Sequence, residues 1–144
     1  MKLILGLLLL VGIVSCGDSD SGTTGSSTTT GTFVDDPVAG LKYVTAGVTS
    51  FTDASGQFEC KSGNTVEFYI GNLHLGSADC GETITPLEIR DTREHTNTSV
   101  SNVAYILQSL DDGSESGILT IPESLHDEDF SGIDLSETVE ATVR

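Results

Sequence analysis

The stretch of residues 51–80 constrains the fold more than any other part of the chain, because it combines tight turns, alternating apolar residues and two cysteines. Asp53-Ala54-Ser55-Gly56 predicts a tight turn, since aspartate can bond to the backbone two residues on and glycine tolerates positive φ. The segments on either side, 48–52 and 57–60, have the composition of strands. This stretch therefore predicts β-structure organised by short turns.

The following segments alternate in the way that half-buried strands do. The segment Thr65–Ile70 alternates strictly, which places its apolar side chains on one face. Leu73 and Leu75 continue the apolar face, with His74 opposite, and Gly76 suggests a bulge. Short strands separated by turn residues favour a mainly β fold, either an antiparallel sandwich or a small barrel.

Cys60 and Cys80 lie twenty positions apart, and two interpretations of them are open. A disulfide would close a loop of about twenty residues, which stabilises a fold by roughly 3 kcal/mol in the chain-entropy model. The alternative is a pair of buried free thiols. A structural zinc site is not expected, since neither cysteine has a second cysteine or a histidine at ligand spacing.

The N-terminus has the features of a secretion signal over residues 1–15. Lys2 precedes an apolar run that is too short to span a bilayer, which takes about 20 residues. The run ends in Ile13-Val14-Ser15-Cys16, which resembles the lipobox of bacterial lipoproteins. The resemblance implies cleavage before Cys16 and attachment of diacylglycerol and a further acyl chain, of the palmitate class, to that cysteine. An ordinary secretion signal with a chance cysteine is the alternative.

The resemblance to lipoproteins also carries expectations for location and pairing. Aspartate directly after the lipidated cysteine commonly means retention in the inner membrane, and here Gly17 takes that position. We therefore expect an outer-membrane lipid anchor, with the domain on the periplasmic or the cell-surface face. Because disulfides persist in such oxidising compartments, this location favours a Cys60–Cys80 bond over free thiols.

Residues 16–32 are expected to form a lipidated, flexible tether, because 17–32 contain no aliphatic or aromatic side chain to bury. Residues 33–144 then form one domain. The chain has a formal net charge of −16, and removal of Lys2 with the signal makes it more negative. This charge argues against nucleic acid as a partner and against docking of the protein surface on anionic lipid, while it permits divalent cations.

A second resemblance is carried by three groups of turn and core residues. They are Val34-Asp35-x-Pro37-Val38-x-Gly40-Leu41, Thr52-Asp53-x-x-Gly56-x-Phe58 and Gly63-x-x-Val66-x-Phe68. Together they resemble the start of a carboxypeptidase-regulatory-like or Ig-like β-sandwich module. Thr85-Pro86-Leu87 and the segment 107–113 are similar to uncharacterised proteobacterial lipoproteins that carry this module, some of them longer. The resemblance implies an Ig-like antiparallel sandwich and no particular chemistry.

Periodicity supplies the remaining elements. Residues 33–43 predict a first strand, 84–89 an apolar connection, 90–97 a loop and 118–121 a short strand before Pro122. Residues 99–110 predict a helix with Ser99 as N-cap, where Thr98 or Ser101 would also serve. Its apolar stripe is Val100, Val103, Ala104, Leu107 and Leu110. We expect this helix to cover the sandwich; a helix that binds a partner is the alternative. Residues 123–129 suggest a short helix, and 133–143 an irregular or weakly helical end.

Few residues suggest chemistry. Asp111, Asp112 and Glu115 could bind calcium through clustered oxygens on a turn, although their spacing does not match an EF-hand and a solvated acidic turn is the alternative. Residues 126–129 are a weaker oxygen-rich cluster. His74, His95 and His126 belong to no catalytic motif, so no catalytic residue is assigned and no cofactor other than calcium is expected.

These observations favour a non-enzymatic protein of the cell envelope that is anchored by lipid on Cys16 and serves as a binding or structural module. Its partner would be a protein or a glycan of unknown identity. A calcium-dependent surface or adhesion domain is the first alternative, and a hydrolase that uses one of the histidines is the second.

Overall fold

The structure is a computed structural model that describes residues 27–34, 36–114 and 116–137. The predicted signal, the lipidated Cys16 and most of the predicted tether lie outside these residues. Glu115 and residues 138–144 lie outside them as well.

The described residues are mainly β, as predicted, with two α-helices. The strands are β1 (Thr28–Phe33), β2 (Val38–Ala39), β3 (Lys42–Thr45), β4 (Val48–Phe51), β5 (Gln57–Lys61), β6 (Thr65–Ile70), β7 (Leu73–Asp79), β8 (Thr83–Ile84) and β9 (Leu119–Thr120). The helices are α1 (Pro86–Ile89) and α2 (Thr98–Leu110), and a 3-10 turn follows at Glu123–Leu125.

These strands form three separate sheets within the described part of the chain. The largest has the order β4-β3-β6-β7 and is antiparallel throughout. A second has the order β5-β1-β8, and β2 pairs with β9. The pairs β1–β8 and β2–β9 are parallel, so the prediction of a fully antiparallel arrangement is wrong for these short pairs. Both join segments distant in sequence, where no hairpin dictates the direction.

Aromatic side chains join the two larger sheets. The Phe68 ring of β6 is buried and lies 4.8 Å from the ring of Phe33 and 5.4 Å from that of Phe58, measured between centroids. The Tyr43 ring of β3 lies 5.8 Å from the Phe58 ring. Such tilted and edge-on pairs contribute about 0.5–1.5 kcal/mol each beyond the burial of apolar area. The apolar alternation in β5 and β6 therefore faces a common core, as predicted.

The first strand of the domain differs from its prediction. Residues 33–43 are divided among the end of β1, β2 and the start of β3, because Gly40 turns the chain with φ of 70°. A strand begins already at Thr28, so the prediction that the tether extends to residue 32 is wrong at its C-terminal end. Threonine favours strands, and β1 has a partner here, since it pairs antiparallel with β5.

The turn at Asp53-Ala54-Ser55-Gly56 is confirmed, and it connects two sheets. The Asp53 carboxylate accepts hydrogen bonds from the backbone N–H groups of Ser55 and Gln57 at 2.8 and 2.9 Å, and Gly56 has φ of 72°. The strands that flank the turn do not pair with each other. Instead β4 pairs with β3 and β5 with β1, so this turn carries the chain from one sheet to the other.

The predicted disulfide between Cys60 and Cys80 is present. Cys60 lies on β5, and Cys80 follows β7 in the other large sheet, so the bond links the two sheets covalently. A register shift in β7 accounts for the position of Cys80. Phe68 pairs with Gly76 and Tyr69 with His74, which leaves Leu75 as the extra residue of a bulge beside Gly76.

Helix α2 is confirmed, with small differences. Its N-cap is Asn97, whose side-chain oxygen accepts the Ser99 N–H at 3.0 Å. Val100, Val103 and Leu107 are buried as predicted, and Ile106 is buried with them. The same side of the helix buries Asn102, whose amide donates to the carbonyl oxygens of Leu135 and Glu137 at 2.9 and 2.5 Å. The C-terminal segment is therefore held against α2.

The remaining segments agree in part with the predictions. The connection 84–89 is β8 followed by α1, a helix that the apolar pattern did not reveal. Thr85 and Glu88 form a capping box around Pro86 at the first turn. The short strand at 118–121 is confirmed as β9, residues 123–129 contain the 3-10 turn, and 133–137 are irregular. Among the described residues, no helix has the length and apolar character needed to cross a bilayer.

Gly31 tests the aromatic contact between the sheets. A Cβ at this position would overlap the Phe58 ring and the carbonyl oxygen of Gly81. We expect Gly31→Ala to destabilise the domain by about 1–3 kcal/mol through overpacking, measured by urea unfolding. Gly132→Ala is the matched control, because nothing lies within 4 Å of its added methyl group. Equal stabilities of the two variants would contradict this account.

Reduction of the Cys60–Cys80 bond is expected to lower the free energy of unfolding by about 3 kcal/mol, because it releases a twenty-residue loop in the unfolded chain. The measurement is urea unfolding with and without reductant. In the double variant Cys60→Ala, Cys80→Ala, the reductant should change nothing. A reductant effect of the same size in that variant would show that the loss has another source.

Candidate functional site

A groove runs between β4 and β5, the outer strands of the two larger sheets. It consists of two adjoining cavities of about 480 and 350 Å³, both lined by Tyr43, Ser50 and Glu59. We call it the edge groove. The turn at residues 53–56 closes one end, because it carries the chain from β4 to β5.

The β4 wall of the edge groove exposes unpaired backbone. A two-residue loop, Ala46-Gly47, connects β3 to β4, and both residues have positive φ. In such a turn the flanking residues Thr45 and Val48 are hydrogen-bonded, and the bonded pairs then alternate along the hairpin. The Thr52 N–H indeed donates to the Leu41 oxygen at 2.9 Å. The N–H and C=O groups of Thr49 and Phe51 therefore point away from β3, and no strand of the described chain pairs with that side.

The β5 wall is largely satisfied from within the domain. Asp53 bonds both backbone groups of Gln57, at 2.9 Å each. The Glu59 N–H donates to the Tyr43 hydroxyl at 3.2 Å across the groove, and the Lys61 oxygen accepts the Asn64 N–H at 3.0 Å. Within the described part of the chain, β4 is therefore the edge of the groove with more backbone groups open for pairing.

Apolar exposure is concentrated at the same edge. Val48 is 62% exposed and Phe51 40% exposed, and both line the edge groove. The third large apolar side chain exposed among the described residues, Tyr105, lies on α2. The Phe51 ring stacks on the His126 ring with centroids 3.9 Å apart, and His126 Nε2 lies 2.9 Å from the Gly40 oxygen. This contact fixes the end of β4.

Asp111 and Asp112, two of the residues predicted to bind calcium, each accept a hydrogen bond from a backbone N–H group. Asp111 ends α2 and accepts the Thr120 N–H at 2.8 Å, which holds β9. Asp112 accepts the Ser114 N–H at 2.8 Å, and hydrogen bonds from Ser114 hold the pKa of the Asp112 carboxyl below its usual range. Glu115 lies outside the described residues. Within the described ranges, no three potential ligands form a metal-binding group. Calcium binding at this turn stays a prediction.

The second acidic cluster, at 126–129, also accepts a hydrogen bond from a backbone N–H group. Asp129 accepts the Ser131 N–H at 2.9 Å and the Asn72 amide at 2.6 Å. Asn72 in turn accepts the Phe130 N–H at 2.7 Å. These bonds attach the C-terminal segment to the turn between β6 and β7. The hydrogen bonds from Ser131 and Asn72 hold the pKa of the Asp129 carboxyl below its usual range.

The three histidines lie at different places in the domain. His74 is exposed, as predicted, and its ring lies 4.9 Å from that of Tyr69. His95 borders an apolar cavity of about 450 Å³ beside α2, and His126 stacks on Phe51. A larger polar cleft of about 710 Å³ contains Asp79, Asp91 and Arg93, and also Glu88, whose carboxylate is held by the capping box.

The edge groove was not visible in the sequence because its walls come from strands that do not pair with each other. Two signals were available. The segment Val48-Thr49-Ser50-Phe51 is uncharged and partly apolar in a strongly acidic chain, and edge strands usually carry lysine or proline that discourages pairing. The loop Ala46-Gly47 is a further signal of a hairpin, although asparagine is commoner than alanine at its first position.

Comparison with known proteins yields no assignment: no family model, curated protein or solved structure matches this chain.

The pKa of Asp129 tests the attachment of the C-terminal segment. We expect Asn72→Ala to raise this pKa toward the usual value but not to reach it, because the Ser131 N–H still donates. Since the native pKa is depressed, the stabilisation by Asp129 is present above the unfolded pKa of about 3.9 and is lost as the pH falls through the native pKa. NMR titration of the carboxyl carbons measures the shift.

The internal control is Asp134, whose pKa is lowered chiefly by Ser136 and should stay unchanged in Asn72→Ala. A pKa of Asp129 that does not move in the variant would mean that Asn72 does not hold this carboxylate in solution.

Proposed function

We propose that this chain is a lipid-anchored protein of the cell envelope whose folded domain is a non-enzymatic binding or structural module. The anchor is proposed from the apolar run and the Ile13-Val14-Ser15-Cys16 segment that ends it. Acyl chains on one cysteine would hold the protein firmly, since each buried CH₂ contributes about 0.8 kcal/mol. The outer membrane is the proposed location.

The disulfide supports a location outside the cytoplasm. Bonds such as Cys60–Cys80 persist in oxidising compartments and are rare in reducing ones. In this proposal Cys16 carries lipid and the other two cysteines pair with each other, which leaves no cysteine of the chain unassigned.

We further propose that the domain is an Ig-like β-sandwich, as the resemblance of its turn and core residues implies. Two observations support face-to-face packing of its two larger sheets. Phe33 and Phe58 from one sheet contact Phe68 from the other, and the disulfide links the sheets at a second point. Two sheets with interdigitating inner side chains are what a sandwich requires.

The edge groove is the observation that carries the binding role. It combines an open strand edge with two exposed apolar side chains, Val48 and Phe51, in a chain whose formal net charge is −16. Exposed apolar residues beside unpaired backbone are features of sites where proteins dock. The proposal needs neither a cofactor nor a catalytic group.

The anchor is tested by Cys16→Ala in cells that express the full chain. We expect the wild-type protein in the outer-membrane fraction with a mass increased by lipid, and the variant as an unlipidated protein that leaves this fraction. Cys16→Ala keeps the apolar run, so export itself should continue. A wild-type protein that is soluble and carries no lipid would overturn the proposal.

Protease treatment of intact cells then separates the two faces of the membrane. Digestion of the domain in whole cells would place it on the surface, where adhesion and host contact are the roles to test. Protection until the outer membrane is opened would place it in the periplasm, where a partner in envelope assembly is the role to test. A periplasmic marker protein reports whether the cells stayed intact.

A further inference from the structure

We propose that the free edge of β4 takes up an extended, cationic segment of another protein as an added strand of the four-stranded sheet. The inference rests on the proposed function of a binding module and names the site and the chemistry of the partner. The edge consists of Val48–Phe51, with the edge groove beside it.

The backbone of β4 supplies the hydrogen bonds for such a strand. The N–H and C=O groups of Thr49 and Phe51 point outward from the hairpin, and no described strand pairs with them. An added strand gains its affinity from main-chain bonds of this kind. Because the outward groups lie two residues apart, they match the repeat of an extended segment.

The opposite wall directs the segment to β4 and not to β5. Gln57, Glu59 and Lys61 use backbone groups on their groove side for bonds within the domain. Natural edge strands are protected in this way or by charge and proline. β5 follows that rule, whereas β4 contains no lysine, no proline and no charged residue.

The side chains around the β4 edge determine which side chains an added strand should have. Val48 and Phe51 are exposed at 62% and 40% and border cavities of about 480 and 350 Å³, respectively. Side chains alternate along a strand, so Val48 and Phe51 lie on opposite faces of β4. Apolar side chains at alternate positions of an added strand would lie on one face, beside Val48 and the cavity of about 480 Å³, and provide specificity in this mode of binding. A segment that alternates apolar and polar residues fits the site best.

Charge decides between a second copy of this chain and a basic partner. The chain carries a formal net charge of −16, so two copies would repel each other on approach. Asp53 and Glu59 line the groove, and Lys61 lies at the end farther from the turn. A cationic segment is attracted to this surface, and its basic residues fit best at the end near Asp53.

The test measures binding of a synthetic peptide, KVTVKVK with both termini blocked, by fluorescence anisotropy at physiological salt. The protein is the oxidised folded domain attached to its natural tether. We expect saturable binding to the wild-type protein and at least tenfold weaker binding to Thr49→Pro, which removes an outward N–H and blocks the edge. Thr49→Ala is the matched control, since it keeps the N–H and should bind within about twofold of wild type.

A second measurement does not depend on how a variant folds. A version of the peptide with every backbone nitrogen methylated keeps its charge and side chains but cannot donate to β4, and it should bind at least tenfold more weakly to the wild-type protein. A peptide with glutamate in place of lysine should lose a similar factor. Equal binding of the methylated and the unmodified peptide would overturn the added strand, because attraction by charge alone would then account for the binding.

Light scattering of the purified protein distinguishes the remaining outcomes. A dimer of the wild-type protein that Thr49→Pro converts to a monomer would overturn the choice of a cationic partner in favour of a second copy. A monomeric protein that fails to bind KVTVKVK would overturn this inference. The proposed envelope location would remain intact if anchoring in cells still depends on Cys16.

Discussion

The contact of the Phe68 ring with Phe33 and Phe58 is the interaction on which the rest of the domain depends. Phe68 is fully buried, and the two rings it meets come from the other large sheet. The contact needs a glycine opposite Phe58, because any side chain at Gly31 would occupy the space of that ring. A short threonine-rich strand with one glycine is thus part of the core, although it has little apolar surface before Phe33.

The edge groove follows from this core. The Tyr43 ring packs on Phe58, and its hydroxyl accepts the Glu59 N–H at 3.2 Å. The Tyr43 side chain therefore lies at the border of the core and connects the two walls of the groove. On the opposite side of the four-stranded sheet, α1 packs along β7, and Arg90 donates to the Leu75 oxygen at 3.2 Å. Among the described residues, α1 packs against the β7 edge, whereas no strand pairs with the β4 edge.

The elements whose structure depends on local periodicity are the ones that the sequence predicts correctly. Strict alternation in β6, the turn at Asp53 and the apolar stripe of α2 each depend on neighbours in the chain, and each is found close to its predicted place. Pairing between distant strands depends on the core as a whole, which is why the partners of β4 and β5 and the parallel pairs were not predicted. β1 was missed because threonines without apolar neighbours resemble a linker. α1 could have been predicted, since Thr85 and Glu88 form a capping box and Pro86 is the first residue of the helix.

The hydrogen bonds of β4 and β5 explain why backbone groups are more open on one wall of the groove than on the other. Asp53 has to stabilise the crossing between the sheets, and its carboxylate and N–H do so by bonding to Gln57. The crossing therefore protects the start of β5, while Tyr43 bonds the Glu59 N–H and Asn64 bonds the Lys61 carbonyl oxygen farther along the strand. β4 belongs to a hairpin in which pairing with β3 satisfies only the groups that face β3, and no strand of the described residues pairs with its outer groups. An edge that is open, uncharged and short can accept one added strand, while the high negative charge around it opposes association with further copies of the chain.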